Sequence, residues 1–510
     1  MTPTPSARTG LLSREFWKKW ALPGQRIFII VCSVIAGVLA LYMLQQRFLH
    51  LHNGLQYDEL YSAITASPYF SLPYVWKNML LKDINLPLFN VLLWGWNRVF
   101  PYTPFWMHLF SALTGVLALV AAWVFAPKYW SWLKKWIFIT LMAGSFCLVA
   151  YGSIIRTYSL SVLFSTIFSL IALQLVHQFE QGKHPTKSTW LLFFGAGLIG
   201  SYSHFFCTAV FFIAALMVFL YACYYKVDRA RAFWGTAIVF FLWALWLLPH
   251  AKNLGGSDSS WWFVTPLGKA SYDILVFLFG TRQTFTGMLY GAVLALVSLG
   301  FTYKKSFFKQ FEVVIPLAQI LLLVGVVAVV SLRFNLWLDR YFLPAMPCVL
   351  LLVAEFVEHL RKRHVILLLL WPILLISWVN FYWKLDYLYE PEYTGLRDAF
   401  HYLTDTLKAD KVLVDMDRTG YPRAALVPMF QYYIPQDKQL EIIRLTPDTA
   451  PLSWTSTPKM PIVTSLCSHL HLIYTSLDMK LEVEGVPLLF GKDICVYTAV
   501  PSAERRKASL

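Results

Sequence analysis

The sequence predicts an all-α membrane protein in which about eleven transmembrane helices form a bundle and a small α/β domain follows outside the membrane. Hydrophobic residues occupy 58% of the 510 positions and charged residues only 14%. The mean hydropathy of +0.55 is far from that of a soluble domain. The apolar residues also recur in runs long enough to cross a bilayer. The composition changes near residue 385, which predicts a separate domain after that point.

The positive charge does not indicate nucleic-acid binding, although the formal net charge is +15. The Lys and Arg residues of the apolar part lie largely in short clusters between the apolar runs, as the positive-inside rule expects of a polytopic membrane protein. Most of the cysteines lie inside apolar runs, where cysteine is an ordinary small hydrophobic residue. Cys467 and Cys495 lie outside such runs, and the sequence leaves open whether they form a disulfide.

Residues 1–26 are predicted to be a basic cytoplasmic tail, with Arg14, Lys18 and Arg26 among its charges. The apolar run that follows, IFIIVCSVIAGVLALYML, is too long for a signal-peptide core and lacks a clear cleavage site. It is therefore predicted to stay as a signal anchor with its N-terminus inside. Residues 27–384 are predicted to be the transmembrane domain. Its further predicted spans are 105–126, 136–152, 157–179, 189–203, 205–225, 232–250, 284–302, 312–331, 341–358 and 365–383.

The apolar segment PLFNVLLWGWNRVF, residues 87–100, is short enough to be either a span or a helix on the membrane surface. If it spanned, the later basic clusters would all face away from the basic N-terminus. If it lies flat, they all share the side of the N-terminus, which the positive-inside rule favours. Residues 46–104 are then one large external loop with two interfacial helices, around Glu59–Ser67 and Pro87–Phe100.

This orientation predicts that the chemically interesting polar residues share the external face. That face would hold Arg156, the SYSH turn ending at His204, the long loop 251–283 and the stretch RFNLWLDR. Residues 385–510 would form the external C-terminal domain. Within it KVLVD, LEIIRL and CVYTAV read as short strands, and GLRDAFHYLTDTLK and RAALVPMFQYYI read as amphipathic helices.

Four motifs along the chain carry a resemblance to a known family. They are Tyr-Asp-Glu at 57–59, LPLFNVLLWGWNRVF, RTYSL and DRYFLPAMP. In this order and on one side of the membrane, they resemble those of the GT-C glycosyltransferases of the protein mannosyltransferase and aminoarabinose transferase type, over roughly residues 25–360. The chain has Asn85 where the aminoarabinose transferases usually have a lysine, with Lys82 three residues earlier. It also has Arg156 after the third span instead of an acid, so the closer likeness is to the bacterial branch with an Arg-x-Tyr pattern.

The resemblance implies a GT-C bundle and an inverting transferase. Such an enzyme takes a sugar from a polyprenyl phosphate at the external leaflet of a bacterial inner or cell membrane. The acceptor would be a hydroxyl of an extracytoplasmic protein, lipid or glycan of the cell envelope. The candidate site residues are Asp58 and Glu59 as catalytic acids; Arg156, Arg340 and Lys82 at the donor phosphate; and Tyr57, Tyr158, His204, Tyr341 and Arg282 at the substrate.

The chemistry of such a transfer needs one carboxylate. A sugar that leaves on a phosphate departs as a stable anion and needs no general acid, whereas a glycosidase needs two carboxylates. A single carboxylate would accept the proton of the attacking hydroxyl. Asp58 and Glu59 are sequence neighbours and cannot face the same point of a regular helix, so Asp58 is the predicted base. The alternative is that both acids are solvated loop residues, one of which caps the next helix.

The developing phosphate charge needs cations, and arginine suits because its planar fork holds two phosphate oxygens. Arg156 lies at an outer span junction next to Tyr158, where its alternative role is to reach lipid headgroups. Arg340 has Asp339 as an alternative partner, and His204 has a structural alternative in its helix turn. No cofactor is indicated by the sequence, and a divalent metal is neither required nor excluded.

Two other classes stay open on the residues alone, a lipid-linked sugar flippase or exporter and a non-catalytic membrane scaffold. An ion-coupled transporter would be expected to carry acids within its spans. In this sequence Glu312, Glu355 and Glu358 lie near the cytoplasmic ends of theirs. A scaffold does not account for the large first loop or for polar residues gathered on a single side.

Overall fold

The computed structural model describes most of the bundle and part of the C-terminal region. The described residues are 14–49, 51–52, 55, 57–81, 86–256, 310–331, 338–361, 365–383, 401–406 and 408, together with the strands 411–414, 441–444, 461–464, 488–490 and 494–498. Within them, eight helices are long and apolar enough to cross a membrane. These candidate spans are Gly24–Leu49, Pro104–Val124, Tyr158–Glu180, Phe205–Tyr225, Arg229–Leu248, Phe311–Ser331, Arg340–Arg361 and Val365–Trp383.

The α-helices of the bundle are numbered in chain order. They are α1 (Arg14–Leu49), α2 (Tyr57–Thr65), α3 (Leu72–Val75), α4 (Leu88–Val99), α5 (Pro104–Val124), α6 (Trp132–Gly144), α7 (Phe146–Ala150), α8 (Tyr158–Glu180), α9 (Lys187–Ser201), α10 (Phe205–Tyr225), α11 (Arg229–Gly256), α12 (Phe311–Ser331), α13 (Met346–Arg361) and α14 (Leu370–Trp383). A π-helix, Trp76–Leu80, continues α3, and 3₁₀ turns at Asp339–Ala345 and Val365–Leu369 precede α13 and α14.

Eight of the eleven predicted spans therefore coincide with a membrane-length helix. The predicted span 136–152 is instead divided between α6 and α7, because Ser145 adopts an extended backbone between them. Gly144 lies so close to Leu375 of α14 that an added Cβ would overlap the leucine side chain. The predicted span 189–203 is α9, a helix of 15 residues. The predicted span 284–302 lies outside the described residues.

The two helices predicted in the first loop are present as α2 and α4. Three side chains from α4 and the turn after it donate to backbone carbonyls of α2 and of the segment that follows α2. Asn97 Nδ2 donates to Ala66 O at 2.9 Å, Trp94 Nε1 to Phe70 O at 3.0 Å and the Tyr102 hydroxyl to Ala63 O at 2.8 Å. These bonds satisfy backbone carbonyls that no regular ladder reaches, so the two helices pack as one unit. Their position on the membrane surface remains a prediction.

The centre of the bundle is α8, which packs mainly against α5, α9 and α10. A buried polar group also connects α8 to three other helices. Gln319 of α12 donates to Ser169 Oγ at 3.0 Å and to Val210 O at 3.3 Å, and it accepts from Cys348 Sγ at 3.2 Å. Hydrogen bonds of this kind hold membrane helices together where lipid gives no hydrophobic driving force between them.

The acids predicted at the ends of their spans lie in an ionic cluster that joins α6, α12 and α13. Lys134 is buried, pairs with Glu355, approaches Glu312 Oε1 at 3.5 Å and lies 4.3 Å from the Trp130 ring. Glu358 pairs with Arg361 at 2.6 Å. The span Arg340–Arg361 places this cluster at the opposite end of the bundle from Arg340.

The C-terminal region contains a mixed five-stranded sheet. Its strands are β1 (Lys411–Val414), β2 (Glu441–Arg444), β3 (Pro461–Thr464), β4 (Leu488–Phe490) and β5 (Ile494–Thr498), in the order β2-β1-β3-β5-β4. β1 pairs in parallel with β2 and β3, whereas β5 is antiparallel to β3 and β4. Strands β1, β2 and β5 coincide with the three predicted ones. Residues 402–406 of the first predicted helix form a π-helix, and the second predicted helix and Cys467 lie outside the described residues.

Candidate active site

Helix α2 presents its two acids to different surroundings. Asp58 Oδ2 lies 3.1 Å from Arg340 Nη1, and both side chains are about one-third exposed, at 32% and 28%. The side chain of Glu59 is only 2% exposed and lies 3.1 Å from His108 Nε2. Neighbouring positions of an α-helix point about 100° apart, so one acid faces the solvent-accessible site and the other faces the protein interior.

Arg156 lies in the connection between α7 and α8 and reaches back to α2. Its Nη1 donates to Asp58 O and to Ser62 Oγ, each at 3.3 Å. The structure thus brings together three predicted site residues, Asp58, Arg156 and Arg340, from three separate parts of the chain. Ser62 was not predicted, although its position one helical turn after Asp58 places it on the same face of α2.

Aromatic side chains surround the two arginines. The ring of Tyr158 lies 5.2 Å from Tyr151 and 6.2 Å from His204. The ring of Tyr341 lies 6.0 Å from His204, and the Arg340 guanidinium carbon is also 6.0 Å from the Tyr341 ring. Tyr158, His204 and Tyr341, all predicted from the sequence, therefore belong to the same cluster.

His204 connects α9 to α10 and caps the second helix. Its Nδ1 accepts a hydrogen bond from Phe206 N at 3.2 Å, so the ring proton of the neutral form is on Nε2. Burial, together with the charges of Arg156 and Arg340, lowers the pKa of His204 to about 3. The imidazole is therefore neutral at physiological pH.

Other predicted residues have no described side chain. The helix α2 begins at Tyr57, but the Tyr57 side chain, Lys82 and Arg282 lie outside the described part of the chain. The Asp339 side chain, the alternative partner of Arg340, also lies outside it. Within the described residues, no group of three or more His, Cys, Asp or Glu side chains is placed to hold a metal ion.

A narrow cavity lies beneath the cluster and reaches a residue that sequence analysis missed. Its lining includes Arg47, Gly115, Tyr151, Gly152 and Tyr158. Arg47 is 3% exposed and donates from Nη2 to Met142 O at 3.3 Å. An added Cβ at Gly115 would meet Arg47 Nη1 at 2.9 Å, so glycine leaves room for the guanidinium. Arg47 lies shortly after the predicted first span. A charged residue in that position is the sequence feature that could have identified it as a candidate.

Comparison with solved structures confirms the predicted resemblance at the level of the fold. No protein-family model and no curated protein matches the chain. The crystal structure of ArnT from Cupriavidus metallidurans in the apo state is similar, with a TM-score of 0.55 and 10% sequence identity over 94% of this chain and 98% of that one. ArnT from the same organism bound to undecaprenyl phosphate gives a TM-score of 0.50 and 10% identity over 92% of this chain and 98% of that one. At this identity the likeness shows a shared fold.

Proposed function

We propose that the protein is an inverting glycosyltransferase of the membrane, with a polyprenyl-phosphate-linked sugar as donor and an extracytoplasmic hydroxyl as acceptor. The observation that carries the proposal is the meeting of Asp58, Arg156 and Arg340, because it combines one accessible carboxylate with two cations. The ArnT fold supports it, since one similar ArnT structure is bound to undecaprenyl phosphate.

In the proposed reaction the acceptor oxygen forms a bond to the anomeric carbon of the sugar. The bond from that carbon to the phosphate oxygen breaks on the opposite face, so the configuration inverts. Asp58 takes the proton of the attacking hydroxyl, an effect typically worth about 10² to 10⁴ in rate. The polyprenyl phosphate leaves as an anion, so the second carboxylate that a glycosidase needs is not required.

The Asp58–Arg340 pair gives the donor phosphate a specific role. Before the donor binds, Arg340 neutralises the carboxylate at 3.1 Å. A phosphate oxygen would compete for the same guanidinium, whose planar fork suits it. The Asp58 carboxylate would then be released from Arg340 and could accept a hydrogen bond from the acceptor hydroxyl. The arriving donor would thus free its own catalytic base.

The remaining predicted residues have supporting roles in the proposal. Tyr158 and Tyr341 supply aromatic walls beside the arginines, where a sugar ring can pack. The neutral His204 can donate from Nε2 to a sugar or acceptor hydroxyl. Tyr57, Lys82 and Arg282 remain candidates from the sequence. The site would face the extracytoplasmic side of a bacterial cell membrane, because the basic clusters are predicted on the other side.

The test is the replacement Asp58→Asn in purified protein reconstituted in nanodiscs. The amide keeps the shape but accepts no proton, so we expect transfer to be lost while undecaprenyl phosphate still binds. The matched control is Thr65→Val on the same helix, whose hydroxyl donates to Tyr61 O within α2, and it should retain transfer. Mass spectrometry of cell-envelope glycans from a deletion strain would identify the sugar and acceptor. Wild-type activity in Asp58→Asn, or lipid translocation without sugar release, would refute the proposal.

A further inference from the structure

A second polar group lies on the buried side of α2, behind the proposed site. Glu59 of α2 and His108 of α5 have side chains that are 2% and 5% exposed. Glu59 Oε1 accepts a hydrogen bond from Ile155 N at 2.8 Å and lies 3.1 Å from His108 Nε2. His108 Nδ1 lies 3.1 Å from Leu51 O. The group thus joins four parts of the chain at the base of the first loop.

Both ring nitrogens of His108 lie within hydrogen-bond distance of an oxygen. A backbone carbonyl only accepts, so a hydrogen bond between His108 Nδ1 and Leu51 O needs a proton on Nδ1. The contact between His108 Nε2 and Glu59 Oε1 likewise needs a proton between the two atoms. Removal of either side chain would leave a buried polar partner without this contact, which is costly.

The same group contacts the connection between α7 and α8, which includes Arg156. Ile155 N bonds to Glu59, and the next residue, Arg156, bonds to Asp58 O and Ser62 Oγ on the other side of α2. Within the connection itself, Arg156 N bonds only two residues back, to Ile154 O at 2.7 Å. This tight turn has little regular structure to hold it. The contact of Ile155 N with Glu59 holds it on one side of Arg156, and the Thr157 hydroxyl, which donates to Ser203 O at 2.6 Å, holds it on the other.

We infer that Glu59 and His108 are positioning residues that hold Arg156 against Asp58, and that Glu59 is not a proton acceptor in the reaction. The inference rests on the proposed function for the role of Arg156 at the donor phosphate. Glu59 reaches Arg156 through the backbone of Ile155, and His108 holds the Glu59 carboxylate in place. Supporting residues of this kind keep reacting groups within the small tolerances that catalysis needs.

The first test measures undecaprenyl phosphate affinity in nanodiscs. Glu59→Gln replaces the carboxylate, which accepts from Ile155 N and lies beside His108 Nε2, with a neutral amide whose oxygen is a weaker acceptor. We expect affinity to fall about tenfold. His108→Gln keeps a donor near the Nε2 position, whereas His108→Asn keeps one near Nδ1 only. The Gln variant should therefore bind better than the Asn variant. A purely structural role predicts similar losses for both.

A double-mutant cycle then asks whether Glu59 acts through Arg156. In an Arg156→Ala background we expect Glu59→Gln to cause no further loss, because the guanidinium that it positions is gone. Thr65→Val is the control on α2 and should change neither background. Additive losses of Glu59→Gln and Arg156→Ala would overturn the inference.

Hydrogen exchange separates this inference from the proposed function. The Ile155 amide should exchange at least about tenfold faster in Glu59→Gln than in wild type, and this readout needs no ligand. If wild-type protein binds no undecaprenyl phosphate, the proposed function is refuted. The exchange rate of the Ile155 amide still tests whether Glu59 holds Ile155 N. Unchanged Ile155 exchange in Glu59→Gln overturns the positioning role in either case.

Discussion

Asp58 and Glu59 occupy adjacent positions, yet their burial and partners differ. Asp58 is accessible and pairs with Arg340, whereas Glu59 is buried against His108 and the Ile155 amide. Sequence spacing predicted that the two acids point apart, because that follows from helix geometry alone. It did not predict Glu59's partners, since His108 and Ile155 are distant in sequence and sequence spacing carries no signal for such contacts.

Replacing Arg156 or Arg340 with lysine should lower the affinity of the protein for the donor. Lysine keeps the charge but lacks the planar fork, and a charged hydrogen bond is worth about 1.5 to 3 kcal/mol, or roughly tenfold to a hundredfold in affinity. The measurement is undecaprenyl phosphate binding in nanodiscs to each single variant and to the double variant. If both side chains contact one phosphate, the two effects should be non-additive.

The matched control for this experiment is Arg98→Lys. Arg98 is an exposed arginine of α4 that donates to Phe70 O at 3.1 Å and lies outside the proposed site. Normal binding by both Arg156→Lys and Arg340→Lys would assign these residues a structural or lipid-headgroup role and leave the phosphate site unlocated.

We expect the buried, neutral His204 to make the free energy of unfolding fall as the pH is lowered. Burial and two nearby arginines lower its pKa in the folded protein to about 3, against an ordinary value of 6.5. Between those values the unfolded chain binds a proton that the folded protein does not, so stability falls as pH is lowered through this window. The loss is about 1 kcal/mol per pH unit.

The variant His204→Asn isolates this effect. Asparagine is a good N-cap residue and can keep the bond to Phe206 N. We expect the apparent melting temperature at pH 7.5 to be similar in both proteins, and the decrease between pH 6.5 and 4.5 to be smaller in the variant. Parallel pH profiles would show that His204 does not remain neutral.

At the scale of secondary structure, hydropathy predicted the positions of the apolar segments well. It did not predict where a segment is divided into two helices. The helices α5, α8, α10 and α12 fall within a few residues of their predicted spans. The break at Ser145 could not be predicted, because the residues around it are largely apolar and hydropathy carries no signal for a change of backbone conformation. The short helices α2 and α4 were predicted only after charge distribution had been combined with segment length.

The packing of α2 and α4 should depend on Asn97. This side chain is 4% exposed, and its Nδ2 donates to Ala66 O at 2.9 Å. Replacing Asn97 with alanine leaves that carbonyl without its donor, which typically costs about 1 to 3 kcal/mol. The apparent melting temperature in detergent should fall clearly for Asn97→Ala. For the neighbouring exposed Arg98→Ala it should change little, and equal shifts would contradict this account of the loop.

At the scale of the whole molecule, the two charged clusters lie at opposite ends of the bundle. Asp58, Arg156 and Arg340 are at one end, and the cluster of Lys134 with Glu312 and Glu355 is at the other. The span Arg340–Arg361 connects them. The positive-inside rule predicts that the second end faces the cytoplasm. Composition predicted a membrane protein, and the distribution of basic residues predicted that the polar site residues share one side of the membrane. The pairing of Asp58 with Arg340 could be seen only in the structure.

The orientation can be measured by cysteine labelling from outside intact cells. Thr103, between α4 and α5, and Lys183, between α8 and α9, are both exposed and lie at opposite ends of the bundle if α5, the pair α6 and α7, and α8 each cross once. The background replaces the exposed Cys223 with serine, together with Cys467 and Cys495 of the predicted external domain, so that these native thiols do not compete for the label. We expect a membrane-impermeant maleimide to label Thr103→Cys and a cysteine at Asp410, and to label Lys183→Cys only after the cells are permeabilised. Labelling of Lys183→Cys in intact cells, with Thr103→Cys protected, would reverse the orientation. The proposed site would then face the cytoplasm, and an extracytoplasmic acceptor would be excluded.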